Sequence, residues 1–211
     1  MNEQEIAPVD YLRNLANQVR PIGGLGIVVL VPDGESPRTR RVLIATHPAW
    51  QAAAQAWAPS HFARESAPQP HESTIGFVAI TRETPGFHTW SQASTKGLVV
   101  VSHVLPAGRS IEVVVPVHRE LHKPDVSEIA RVVHSTWYGM KHCVFRPLSG
   151  ITPQQGRVLE LALEGLSAKE TADQMGLTER TVNHHLTQLQ QRLGTNGKTQ
   201  SIVKAIWLGA L

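Results

Sequence analysis

The stretch Gly165-Leu166-Ser167-Ala168-Lys169-Glu170-Thr171-Ala172, continued by Gly176-Leu177-Thr178-Glu179-Arg180-Thr181-Val182-Asn183-His184-His185-Leu186, decides the fold of the last third of the chain. Ser167 followed three residues on by Glu170 is a capping box, the pairing that satisfies the first free amides of a helix. Gly165 and Gly176 follow apolar runs, where glycine suits a left-handed C-terminal cap. Thr178 is placed to cap the next helix. The stretch therefore reads as two short helices joined by a tight turn at Gly176. Upstream, Thr152-Pro153-Gln154-Gln155 is a second capping box, with proline at the first helical position.

Working outward, the helix after Thr178 separates its faces. Val182, Leu186, Leu189 and Leu193 recur at i, i+4, i+7 and i+11 and make an apolar stripe. Asn183, His184, Thr187 and Gln191 fall on other faces. The helix opened by Thr152 is expected to bury Val158, Leu159, Leu161 and Ala162, with Leu163 at the margin; the next buries Ala172 and Met175. A last helix, about 198–208, supplies Ile202, Val203, Ala205 and Ile206 to close a four-helix bundle. Two short helices across a glycine turn form a helix-turn-helix, a motif that lays its second helix in the DNA major groove.

These residues carry a family resemblance. The run Ile151-Thr152-Pro153, Val158-Leu159, Gly165-Leu166-Ser167-x-Lys169-Glu170-x-Ala172, Met175-Gly176-Leu177-Thr178-x-x-Thr181-Val182-x-x-His185-Leu186, Arg192-Leu193-Gly194, Ala205 and Leu208-Gly209 resembles the LuxR/NarL-type DNA-binding domain, continuously over 151–211. The chain departs from that pattern at Gln154-Gln155, where the family usually has Arg-Glu, at Asn183, where it has Lys, and at Lys198, where it has Arg. The resemblance implies a transcription regulator that binds double-stranded DNA as a homodimer. Base contacts fall to Asn183, His184 and Thr187, because an Asn pairs bidentately with adenine and His or Thr serves several acceptors. Phosphate contact or framing of the helix falls to Lys169, Thr178, Thr181, His185, Arg192 and Lys198. The alternatives are a solvated helix surface for the first set and backbone capping for Thr181 and His185.

Composition bounds the rest. A chain of 211 residues holds two small domains. One cysteine, Cys143, allows no intrachain disulfide and fits a reducing, cytoplasmic setting. The start, Met-Asn-Glu-Gln-Glu, has no signal-peptide pattern, and apolar runs such as 25–31 are strand-length, so no membrane span is expected. The net charge is +3 overall, and residues 149–211 carry six Lys/Arg against five Asp/Glu, a net of only +1. A field that weak points to binding as a dimer and to basic groups focused on one face.

The N-terminal two-thirds read as an α+β domain, 1–145, joined by a linker, 146–150, to the helix-turn-helix domain, 151–211. Residues 5–20 have an amphipathic helical pattern through Val9, Leu12, Ala16 and Val19. Strands follow at 25–31 and 41–45 across a Pro/Gly loop, 32–37. The Ala-rich 49–62 is helical, with Pro59 a candidate break, and 65–73 is a loop. A third strand covers 74–81, with a turn at Pro85-Gly86. Residues 98–105 and 110–116 form a hairpin across 106–109. Pro116 marks a strand end or a sheet edge. A helix over 124–142 carries Val126, Ile129, Val133, Trp137 and Met140. Few helices separate the strands, so the sheet should be antiparallel with helices packed on it. That element order resembles PAS- or GAF-like sensor domains, which implies ligand sensing or assembly.

A phospho-receiver is excluded: Asp10 and Asp33 are the only aspartates before residue 125, and the strand pattern is antiparallel. Residues 46–117 contain no Tyr and no Asp, which argues against the usual acyl-homoserine-lactone contacts. Trp50, Trp57 and Trp90, with Phe62, Phe77 and Phe87, are candidates to line a small-molecule pocket, and core filling is the competing reading. His118, His122, His134, His142 and Cys143 show no repeated ligand spacing, so no metal is assigned. No nucleophile–base set or phosphate loop is visible, so neither catalysis nor a cofactor is expected. The alternative to a ligand-responsive regulator is one controlled by a partner protein, or an anti-activator.

Overall fold

The computed structural model describes residues 7–33, 39–62, 74–105 and 109–211. The chain divides into two compact units, Met1–Gly139 and Met140–Leu211. The first is α+β, the second helical. The loops expected at 32–37, 65–73 and 106–109 fall largely outside the described residues.

In the first unit, α1 (Pro8–Val19) precedes β1 (Val28–Pro32) and β2 (Arg40–Ala45). Then come α2 (Pro48–Phe62), β3 (Ile75–Ala79), the short α3 (Phe87–Gln92), β4 (Gly97–Leu105), β5 (Arg109–Val117) and α4 (Lys123–Ser135). The strands form one five-stranded antiparallel sheet in the order β2-β1-β5-β4-β3. The antiparallel sheet with helices packed on it, expected from the element order, is present.

Every residue of β5 is buried, at both parities of the pleat, so both faces of the sheet are covered. On one face Val28, Leu30, Leu98, Val100 and Val114 pack against Ala53, Ala54, Trp57 and Phe62 of α2 and Trp90 of α3. On the other side α1 packs against α4, and α4 lies along β3 and β4.

Three local expectations are corrected. Helix α2 runs through Pro59 to Phe62 without a break; Trp57, Ala58 and Phe62 are buried on either side of the proline and hold it in place. Pro116 is not at an edge, since β5 is the central strand, and it stands one residue before the strand end at Val117. Its carbonyl accepts from the Leu25 amide at 2.7 Å. Its missing N–H would point to that same side, beyond the start of β1, so the β1–β5 ladder, which begins at Val28, stays intact. The helix expected over 124–142 is interrupted at Thr136. The Ser135 and Thr136 hydroxyls donate back to the Val132 and Val133 carbonyls, and Tyr11 Oη donates to the Thr136 carbonyl at 2.9 Å. Such local bonds compete with the helical ladder.

Two polar groupings, one buried throughout and one around buried His103, were not anticipated from sequence. Arg40 Nε meets Glu112 Oε2 at 2.6 Å, and Ser110 Oγ bridges Arg40 Nη2 and Glu112 Oε1 at 2.6 Å each. Burial pushes the Glu112 carboxyl up, against the pull of Arg40 and Ser110. On β4, His103 stacks on Trp137 with ring centroids 3.7 Å apart and lies 4.7 Å from the His134 ring. Burial, then the His134 charge, lowers the His103 pKa to about 4. Among the described residues no group of three or more His, Cys, Asp or Glu is placed to hold a metal ion.

The short α5 (Trp137–Met140) ends the first unit, and the second opens with a five-residue π-helical segment, Lys141–Phe145, and α6 (Arg146–Leu148). The bundle follows: α7 (Pro153–Leu163), α8 (Ala168–Met175), α9 (Glu179–Leu193) and α10 (Lys198–Trp207). Among the described residues no helix is long and apolar enough to cross a membrane.

Candidate nucleic-acid interface

Both capping boxes are formed. Gln155 N donates to Thr152 Oγ1 at 3.2 Å, and Glu170 N to Ser167 Oγ at 3.2 Å; in return Thr152 N meets Gln155 Oε1 at 3.2 Å and Ser167 N meets Glu170 Oε2 at 2.8 Å. The Ser167 bonds hold the Glu170 carboxyl below its usual range. At the turn, Gly176 has φ +66°, and nothing lies within 4 Å of where a Cβ would stand. Backbone conformation, not space, therefore demands glycine there. Thr178 Oγ1 accepts from Thr181 N at 3.2 Å and opens α9.

Helix α9 is held by two apolar clusters. Towards its N-terminus, Val182 packs with Val158 and Ala172, and half-buried Leu186 and Met175 join them. Towards its C-terminus, Leu189 and Leu193 pack with Ile151, Leu159, Ala162, Ile202, Ala205 and Ala210. Two expected core residues are exposed instead: Leu163 at 53% and Val203 at 37%. The stripe Gln155, Val158, Leu159 and Ala162 already fills the inner face of α7, leaving Leu163 at its outer margin.

The outer surface of α9 holds the residues expected to read bases. Asn183, His184 and Thr187 are all exposed. Thr187 Oγ1 donates to the Asn183 carbonyl at 3.0 Å. His184 Nε2 lies 3.0 Å from Gln188 Nε2, and Gln188 Oε1 accepts from Gln155 Nε2 at 3.1 Å. Exposed Gln188 thus joins this surface and buried Gln155 supports it from α7, and sequence reasoning missed both. The i, i+4 spacing of His184 and Gln188 was the available signal.

Lys169 is exposed in the first turn of α8, and Arg192 is exposed in the last turn of α9. Lys198 Nζ donates to the Leu166 carbonyl at 3.4 Å. Thr178 and Thr181 bond each other at 2.8 Å through their hydroxyls. His185 is half-buried, and its Nδ1 is enclosed without a hydrogen-bond partner.

Arg146 ties the segment before α7 to the bundle. Its Nε donates to the Ala210 carbonyl at 2.8 Å, Nη1 meets His142 Nδ1 at 3.0 Å, and Nη2 pairs with Glu160. Burial raises the Glu160 pKa, but the bonds and charges of Arg146 and Arg157 outweigh it and hold the carboxyl below its usual range. A Cβ on Gly156 would come within 2.9 Å of the Arg146 guanidinium, so glycine makes room for the clamp.

In the first unit, the pocket candidates Trp57 and Trp90 lie with Phe62 in one apolar cluster, and Trp50 packs against it. Trp50 Nε1 donates to Thr95 Oγ1 at 3.2 Å. Trp57, with His61 stacked on it at 4.4 Å, also forms one wall of a cleft of ≈240 Å³ that Ser60, Val78 and Glu83 help to line.

Residues 149–205 match the family model for bacterial regulatory proteins, luxR family. The spore germination protein GerE of Bacillus subtilis is 31% identical over 72 residues, which cover 34% of this chain and 97% of GerE. The chain belongs to that family. The DNA-binding transcriptional activator DevR/DosR of Mycobacterium tuberculosis is 44% identical over 59 residues, covering 28% of this chain and 27% of that protein. The chain thus spans nearly all of GerE but about a quarter of DevR/DosR. Among solved structures, Escherichia coli SdiA aligns with a TM-score of 0.47 and 16% identity, over 99% of this chain and 93% of that one.

Proposed function

We propose that the chain is a sequence-specific, DNA-binding transcription regulator that works in the cytoplasm as a homodimer. The observation that carries this is α9: an exposed polar surface of Asn183, His184 and Thr187 over a buried underside of Val182, Leu189 and Leu193, opened by the Thr178 cap. A helix so presented enters the major groove with its polar residues against base edges. Lys169, Thr178, Thr181, His185, Arg192 and Lys198 position it on the backbone. Residues 151–211 act as the DNA-binding domain, 146–150 as the connection, and 1–145 as the sensing or assembly domain. Two copies are needed because six Lys/Arg against five Asp/Glu in 149–211 give one copy little electrostatic hold.

What the first domain answers to has two readings. A small molecule held near Trp50, Trp57 and Trp90 is the first. Control by a partner protein is the second, and the close packing of Trp57, Trp90 and Phe62 against the sheet supports it.

The test is selection of duplexes from a random library by the purified full chain at low salt, with sedimentation velocity on the complex. The expected result is a twofold-related site, half-sites about one helical turn apart, bound by two copies. Failure to enrich any sequence overturns the reading; retained binding without added ligand removes an obligatory inducer.

A further inference from the structure

The hydrogen-bond chain from Thr152 to His184 has a fixed polarity. Thr152 N–H can only donate, and it meets Gln155 Oε1 at 3.2 Å. That leaves Gln155 Nε2 facing Gln188, whose Oε1 accepts at 3.1 Å. Gln188 Nε2 is then the atom 3.0 Å from His184 Nε2. An amide nitrogen has no lone pair to offer, so His184 Nε2 must be the acceptor. A neutral imidazole with a bare Nε2 carries its proton on Nδ1, because the bond made by one ring nitrogen sets the state of the other. The anchor of the chain is firm: Gln155 is 3% exposed and held in the α7 capping box.

We propose that Gln155 and Gln188 are positioning residues that lock His184 as the Nδ1–H tautomer, so that this ring offers DNA a hydrogen-bond donor. This rests on α9 being the recognition helix. A donor at that point suits acceptors in the major groove: guanine N7 and O6, adenine N7, thymine O4. It does not suit the amino groups of cytosine and adenine. The residue at position 155, on α7, thereby sets what a residue on α9 reads.

Substitution at position 155 can reverse the chain. In Gln155→Glu the introduced carboxylate still accepts from Thr152 N–H but cannot donate to Gln188. The Gln188 amide must turn over, its Oε1 then faces His184, and the ring must put its proton on Nε2. Nδ1 becomes an acceptor, suited to the cytosine or adenine amino group. Gln188→Leu, on the exposed surface, removes the lock without touching the capping box.

The experiment is long-range proton–nitrogen NMR of the ¹⁵N-labelled full chain without DNA, above the titration range of histidine, with His184 assigned by its loss in His184→Gln. Duplex selection from a random library is run alongside. The wild-type chain should show Nδ1 as the protonated nitrogen of His184. Both variants should show Nε2–H, and Gln155→Glu should shift preference at one base pair per half-site by about tenfold. A protonated Nε2 in the wild-type chain, with normal DNA selection, overturns the lock and leaves the proposed function standing. The expected tautomers with unchanged selection in Gln155→Glu overturn its part in readout. The expected tautomers in a chain that selects no duplex overturn both the readout and the DNA-binding function, leaving only the hydrogen-bond chain.

Discussion

Under the proposed function, Asn183 and Lys169 divide the work of binding. Lys169 offers a charge with no base information, so Lys169→Ala should weaken binding to every duplex by a similar factor and reduce the salt slope by about one. Asn183 offers a paired donor and acceptor, so Asn183→Ala should leave non-specific affinity in place and flatten preference at one base pair by about 1–3 kcal/mol. Gel shifts against a matched and a scrambled site separate the two effects. A second pair tests the first domain. Glu112→Leu strands the Arg40 guanidinium inside protein and should cost about 3–5 kcal/mol in urea unfolding, whereas Arg40→Met with Glu112→Leu should cost much less. Asn183 could be placed from sequence because its neighbours Val182 and Leu186 announce which side is inward. Arg40 and Glu112 could not: they stand 72 positions apart, and strand register alone brings them together.

At the scale of elements, what is written locally was legible and what depends on neighbours was not. The two capping boxes, the Gly176 turn and the Thr178 cap each involve residues a few positions apart, and all are formed. Ser167→Ala should therefore destabilise the bundle by about 1 kcal/mol, read as a shift in its urea midpoint. The edge reading of Pro116 fails because its tolerance in a central strand depends on where β1 begins. The break at Thr136 was missed because a stripe of apolar residues says nothing about hydroxyls turning back on their own helix. The short helix α3, which buries Trp90, left no signal beyond the turn before it.

For the whole molecule, acidity bears on stability through His103. The unfolded chain protonates His103 near pH 6.5, but the folded one not until about pH 4, because burial and then His134 oppose the charge. Between those values the unfolded state binds more protons, so stability is complete above the window and falls as pH drops through it, by up to about 3 kcal/mol. Urea midpoints at about pH 7.5 and about pH 5 should show the loss, and His103→Phe should remove this part of it.

The guanidinium at position 146 decides where the molecule can be dissected. The family match begins at 149, three positions after it, so a fragment excised at that boundary discards the cation that Glu160 and the Ala210 carbonyl now share. An excised 149–211 should melt several degrees below an excised 141–211 in calorimetry, although both contain every helix that the family match covers. A trimmed DNA-binding domain of this chain should start upstream of the family boundary.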